Sequence, residues 1–199
     1  MHRQLNSHWP SATLVVNSVI EDIREDFGLQ FYLRRDGSMV WLGVTRQHFN
    51  THRRWCGGSY SAELQGQLYN DAADIPEAVG RYLHREGYFG LVGIDVLCDR
   101  NNRHFLVDVN PRLTGISPFL MASRIFAQKG LTEGIYRASA RFQGSMDELI
   151  STAEDTTEAR VVVLSAFEEP DSDSTVCHLA ASSDSQQQCS DVLDQIAEP

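Results

Sequence analysis

Residues Gly90 to Pro118 read GLVGIDVLCDRNNRHFLVDVNPRLTGISP. Two apolar runs flank Arg100-Asn101-Asn102-Arg103. Asparagine tolerates the left-handed backbone of a tight turn, so the stretch predicts a β-hairpin. With Asn101 and Asn102 as a two-residue loop, Arg100 pairs with Arg103. Extending that register puts Asp95 directly opposite Asp108.

Facing residues on one sheet surface have Cβ atoms about 4.5–5.5 Å apart. Two carboxylates in that arrangement repel, and partial burial would raise one of their pKa values. A divalent cation between them relieves the repulsion. Asn110 lies two residues beyond Asp108, on the same face, and offers a carbonyl oxygen as a third ligand. Hard oxygen donors suit Mg²⁺ or Mn²⁺ rather than zinc. Mg²⁺ is usually held by one or two carboxylates plus substrate phosphates, so a nucleotide is implied. The plainer alternative is a pair of solvated aspartates on a hairpin whose register has slipped by one residue. Asp99, at the turn, reads as a cap rather than a further ligand.

The rest of the chain predicts an α+β fold, an antiparallel sheet with helices packed on it. Leu14 to Ile20 (LVVNSVI) is an apolar, β-branched strand, and the acidic EDIRED after it reads as a connector. Leu29–Leu33 and Met39–Val44 flank Asp36-Gly37, a strong hairpin signal. Thr45 to Ser61 is polar, basic and glycine-containing, and reads as an irregular loop. A helix follows, with Asp74 as N-cap, Pro76 in its first turn and Gly87 beyond its end. Pro118 to Gln128 predicts a helix stopped by Gly130, and Leu131 to Gln143 a further amphipathic helix. Arg160–Phe167 and Thr175–Ala181 predict a second pair of strands. Ser183 or Asp184 then caps a helix through Ile196, unless Gln186 onward is a disordered polar tail.

The acidic hairpin resembles the C-terminal subdomain of the ATP-grasp superfamily. That subdomain carries an acid on one strand and an acid-x-Asn-Pro-Arg motif on the next. Here the matching pieces are GIDVL, with Asp95, and VDVNPRLTG, with Asp108, Asn110 and Arg112. The family more often has Glu where Asp108 stands, and Asp keeps the oxygen ligand. The resemblance implies ATP and Mg²⁺ (or Mn²⁺) as cofactors, with Asp95, Asp108 and Asn110 holding the metal. It implies small-molecule carboxylate and amine substrates, and assigns Arg112 to the phosphate, the acyl phosphate or a substrate carboxylate. Gly115 and Ser117 would present loop N–H groups to the developing oxyanion.

Upstream, VVNSVIEDI resembles the strand and hinge that cup adenine. Asn17, Val19 and Ile20 are the hinge candidates, Val19 and Ile20 through backbone groups. Glu21 is either a ribose ligand or a solvated acid. Gln47 resembles a polar residue lining the substrate or phosphate pocket. His48 and His52 read as solvent-exposed. Arg46, Arg53 and Arg54 read as a solvated basic loop, with contact to an anionic substrate as the alternative.

The formal net charge is −10, with 27 acidic residues against 17 Lys and Arg. Such a surface repels phosphate backbones and anionic membranes, so neither nucleic acid nor membrane is expected as a partner. Apolar residues at 42% suffice for a core. Cys56, Cys98, Cys177 and Cys189 show no zinc spacing. Reduced thiols and a cytoplasmic location are expected, and oligomeric state is open.

The expected organisation is an ATP-grasp C-terminal subdomain over residues 1–150, with a hairpin-plus-helix extension over 151–199. The small subdomain that supplies lysines and a glycine-rich loop in that superfamily has no counterpart here; Lys129 is the only lysine. The expectation is therefore a ligase part that is inactive alone, against the alternative of a non-catalytic interaction or remnant nucleotide-binding module.

Overall fold

The computed structural model, which describes residues 18–170 and 172–198, starts its sheet where the sequence suggests a connector. Strand β1 (Ile23–Leu33) begins inside EDIRED, and residues 18–20 carry no strand. Residues 14–17 of the expected first strand lie outside the described residues. The correction has a simple cause. Phe27, Leu29, Phe31 and Leu33 alternate inward, and pairing on both sides carries the strand back into its acidic lead.

Strand β2 (Met39–Phe49) returns from the expected hairpin turn, with Leu33 paired to Met39. Asp36 Oδ1 accepts the Ser38 N–H at 2.9 Å, and Gly37 takes φ +83. The segment read as an irregular loop is mostly strand, broken by a turn over residues 50–54. It holds the end of β2 and all of β3 (Trp55–Ser61). Its glycines are there because neighbouring backbones press in. A Cβ at Gly57 would sit 2.0 Å from the Tyr136 carbonyl oxygen, and one at Gly58 would sit 2.7 Å from that of Arg46.

Helix α1 (Ala62–Ala72) was not foreseen and runs into α2 (Asp74–Arg85) after one residue. Because Ala73 keeps helical dihedrals, Asp74 is the first residue of α2 and not its cap. Val79 and Leu83 face inward, whereas Tyr82 is exposed. Strands β4 (Gly90–Asp99) and β5 (His104–Asn110) form the predicted hairpin, and α3 (Ser117–Gln128) follows.

Leu131 to Gln143 is not a helix. It supplies strand β6 (Glu133–Gln143), which lies between β3 and β8 (Ser174–Ser183). A bulge between Arg137 and Ala140, with Ser139 at φ 56, breaks the two-residue alternation, and the spacing then imitates a helix. Helix α4 (Met146–Asp155), which the sequence reading passed over, opens on a reciprocal cap between Ser145 and Glu148. Strand β7 (Arg160–Glu168) pairs with β8, and α5 (Gln186–Ile196) is capped by Ser185.

The eight strands form one antiparallel sheet in the order β5-β4-β1-β2-β3-β6-β8-β7. Helices α1 and α2 cover one face over β1, β2 and β4, with Phe31, Leu68 and Val92 in that core. Helices α4 and α5 cover the same face at the other end, over Leu149, Leu179 and Leu193. Helix α3 packs on the opposite face, through Phe119 and Leu120 against Tyr136. Beside α3 no helix among the described residues covers the sheet, and a cavity lies there. Among the described residues no helix is long and apolar enough to cross a membrane.

Candidate functional site

The β4–β5 turn is built differently from the expectation, yet the predicted pair forms. The loop has three residues. The Asp99 N–H donates to the Arg103 carbonyl at 3.1 Å, and Asn102 closes the turn at φ 61. Cys98 therefore pairs with His104, one residue out of the expected register. A bulge at Val107 then absorbs the offset, so Asp95 faces Asp108 and Gly93 faces Asn110. Asp99 is buried and caps the turn, accepting the Arg103 N–H at 2.9 Å and the Arg103 guanidinium. The Arg103 N–H foremost keeps its pKa below the ordinary carboxylate value.

Alternation sends Asp26, Gly28 and Gln30 of β1, Thr45 and Gln47 of β2, and Gly93, Asp95 and Leu97 of β4 to one face. With Asp108, Asn110 and the loop through Ile116 they line a cavity of about 470 Å³. The Gln47 amide donates to Asp95 Oδ1 at 2.8 Å. Asn110 Nδ2 donates to Asp108 Oδ2, and Arg112 Nη2 to Asn110 Oδ1, each at 2.9 Å. Six residues singled out in the sequence thus line the same cavity: Gln47, Asp95, Asp108, Asn110, Arg112 and Gly115.

The hinge candidates are elsewhere. Val19 is 84% exposed, and neither it, Ile20 nor Glu21 lines the cavity. Asn17 is outside the described residues. Arg46 turns to the other face, 2.8 Å from Glu25, and His52, Arg53 and Arg54 are exposed at the β2–β3 turn. His48 is half-buried rather than solvent-exposed, with Nε2 3.2 Å from Ser59 Oγ. Burial, then Arg137, lowers its pKa.

Asp26 is the functional candidate the sequence reading missed. It belongs to the acidic run taken as a connector, and only the β1 alternation points it toward the cavity. Burial first and Asp95 second push its pKa up to about 6. Burial also raises Asp95; the Gln47 hydrogen bond opposes this, Asp108 adds to it, and Arg112 opposes it. The cavity thus holds more negative charge than its own cations neutralise.

A hard divalent cation fits that donor set. Asp95 and Asp108 are paired across β4 and β5, both line the cavity, and the Asn110 amide is hydrogen-bonded to Asp108. No group of three His, Cys, Asp or Glu converges as a metal cage among the described residues. Two carboxylates and an amide leave the remaining positions of an octahedral shell to phosphate and water, as Mg²⁺ prefers.

The motif loop is pinned from below. Gln30, 2% exposed, donates to Thr114 Oγ1 and accepts from Ser117 Oγ at 2.5 Å. A Cβ at Gly93 would stand 2.7 Å from Thr114 Cγ2, so the loop rests directly on β4. Neither Gln30 nor Gly93 carries a sequence signal for this, since the partner lies more than 80 positions away for Gln30.

Several solved structures share the fold. The ATPase subunit of phosphoribosylaminoimidazole carboxylase from Aquifex aeolicus matches with a TM-score of 0.59 at 9% identity, over 90% of this chain and 57% of that one. Biotin carboxylase from Campylobacter jejuni, described as a β-γ-ATP complex, gives 0.58 at 12% identity, over 91% and 48%. N5-carboxyaminoimidazole synthetase from Staphylococcus aureus, complexed with ADP, gives 0.57 at 12% identity, over 87% and 51%. The chain spans about half the length of these structures. At such identities the likeness concerns fold alone, and the fold is that of an ATP-grasp C-terminal lobe. No curated protein sequence matches the chain. A family model described as "L-aspartate–L-methionine ligase, ATP grasp" matches residues 2–110, more than half of the 199. The chain belongs to that ATP-grasp ligase family.

Proposed function

We propose that the chain is the ATP- and Mg²⁺-binding part of a ligase that activates a carboxylate as an acyl phosphate for attack by an amine. The observation that carries this is the register-matched pair Asp95 and Asp108, with Asn110 beside it, in a cavity otherwise short of positive charge. Asp95, Asp108 and Asn110 would hold the cation, which when bound supplies charge neutralisation at the phosphates. Gln47 orients Asp95 through its 2.8 Å hydrogen bond.

In the proposed reaction a substrate carboxylate oxygen takes the γ-phosphoryl group and ADP leaves. The amine then attacks the acyl carbon, releases phosphate and loses a proton as the amide forms. Arg112, a planar donor at the cavity rim, would hold the carboxylate or its acyl phosphate. The family description makes aspartate the first candidate acid and methionine the first candidate amine. The proposed organisation keeps residues 1–150 as the ATP-grasp subdomain and 151–199 as its extension. Small-molecule chemistry and the charge of −10 speak against nucleic acid as a partner.

By itself the chain is expected to bind Mg-ATP with little or no turnover, because it covers only about half of the matched structures. An ADP-release assay with Mg²⁺, aspartate and methionine tests this. Sustained turnover by the isolated chain contradicts the proposed inactivity. Absence of any Mg-dependent ATP binding contradicts the ligase reading and favours an interaction module.

A further inference from the structure

The cavity has two unlike ends. The carboxylates gather on β4 and β5. At the other end, on β2 and β3, stand Phe49 and Trp55, faced by Ile116. From β5 to β3 is four strand spacings of about 4.8 Å. The two ends are thus about 19 Å apart, so a group held at one need not occupy the other.

The aromatic wall is fixed from behind. The Trp55 and Tyr136 ring centroids are 5.8 Å apart. Tyr136, 2% exposed, stacks in turn on Phe119 at 5.8 Å. Gly115 lets the motif loop close on the indole, since a Cβ there would be 3.0 Å from Trp55 Cη2. Phe49 remains 47% exposed, an apolar surface at the mouth that gains from being covered.

We propose that this end receives the apolar side chain of the amine substrate, one of methionine's length, with its sulfur against the two aromatic rings. The inference rests on the ligase reading and deepens it, assigning one substrate to one end of the cavity. Thioether–aromatic contact is favourable, and an unbranched chain adapts to an apolar wall such as that of Phe49, Trp55 and Ile116 without demanding a polar partner. The opposite end, lined by carboxylates, does not suit an apolar chain. Trp55 and Phe49 are then specificity-determining residues for the amine.

Calorimetry on the full chain tests the assignment. Methionine, norleucine, alanine and aspartate are titrated with and without a saturating Mg²⁺ complex of a non-hydrolysable ATP analogue. The expected result is methionine at least tenfold tighter than alanine, with norleucine close behind and aspartate showing no gain from the aromatic end. Trp55→Ala, and separately the exposed-site variant Phe49→Ala, should bring methionine down to the affinity of alanine while nucleotide binding is unchanged. Methionine no tighter than alanine, a preference that survives both variants, or competition between methionine and the nucleotide overturns the assignment. The nucleotide titration alone reads the ligase proposal, so the two failures are distinguishable.

Discussion

Asp95 and Asp108 stand opposite each other across β4 and β5 because a one-residue bulge at Val107 cancels a one-residue offset set by the turn. The pair is thus held by two compensating irregularities and not by a regular ladder. Inserting one residue between Val107 and Asp108 should keep the bulge but move Asp108 opposite Ile94, sending its side chain to the other face. The expected outcome is a folded protein, by circular dichroism, that has lost Mg-dependent nucleotide binding. Unchanged binding would show that this register does not set the site.

Protonation links the site to stability. Asp26 has a folded pKa of about 6 against an ordinary 3.8, through burial and then Asp95, and Asp95 is shifted in the same direction. The folded state therefore binds more protons than the unfolded state between those values, and stability contributed by these groups falls as pH rises through that window. Asp26→Asn removes the cost of burying the charge. It should raise the thermal midpoint at pH 7.5, with the gain shrinking toward pH 4. A gain independent of pH contradicts the assignment.

The motif loop depends on Gln30. In Gln30→Ala the Thr114 and Ser117 hydroxyls lose their common partner, a loss of about 1–3 kcal/mol in thermal or denaturant unfolding. Gly93→Ala keeps all three polar groups but pushes a methyl into Thr114 Cγ2, at 2.7 Å. Both variants should weaken nucleotide or substrate binding at the loop. An effect on stability alone, with ligand affinity untouched in both, would show that the loop's seat does not matter to the site.

Gly57 is required by the sheet and not by the site. Its φ of +141 strains any side chain, and a Cβ would stand 2.0 Å from the Tyr136 carbonyl oxygen. Gly57→Ala should cost about 3 kcal/mol or more, read as a drop in denaturation midpoint. A near-neutral result would mean that β3 and β6 can separate freely.

Much of this was legible in the sequence, for reasons that differ from element to element. The β1–β2 and β4–β5 hairpins announce themselves through Asp36-Gly37 and Asn101-Asn102, where turn chemistry is local. The acid-x-Asn-Pro-Arg run carries its own spacing, and Gln47, Asp95, Asp108, Asn110 and Arg112 do share a cavity. Strand β3 was hidden because Gly57 and Gly58 look like loop residues until the backbones they accommodate are known. Strand β6 was hidden by a bulge at Ser139 that erases its alternation. Asp26 and Gln30 have partners 69 and more than 80 positions away, through Asp95 and Thr114, and no local pattern encodes such contacts.

The most direct measurement is calorimetric titration of Mg-ATP into the chain and into Asp108→Ala. Saturable, Mg-dependent heat in the parent that vanishes in the variant, with the fold retained, is the predicted result. Equal binding by both, or nucleotide binding indifferent to Mg²⁺, would contradict the claim that these facing carboxylates carry a metal-bound nucleotide.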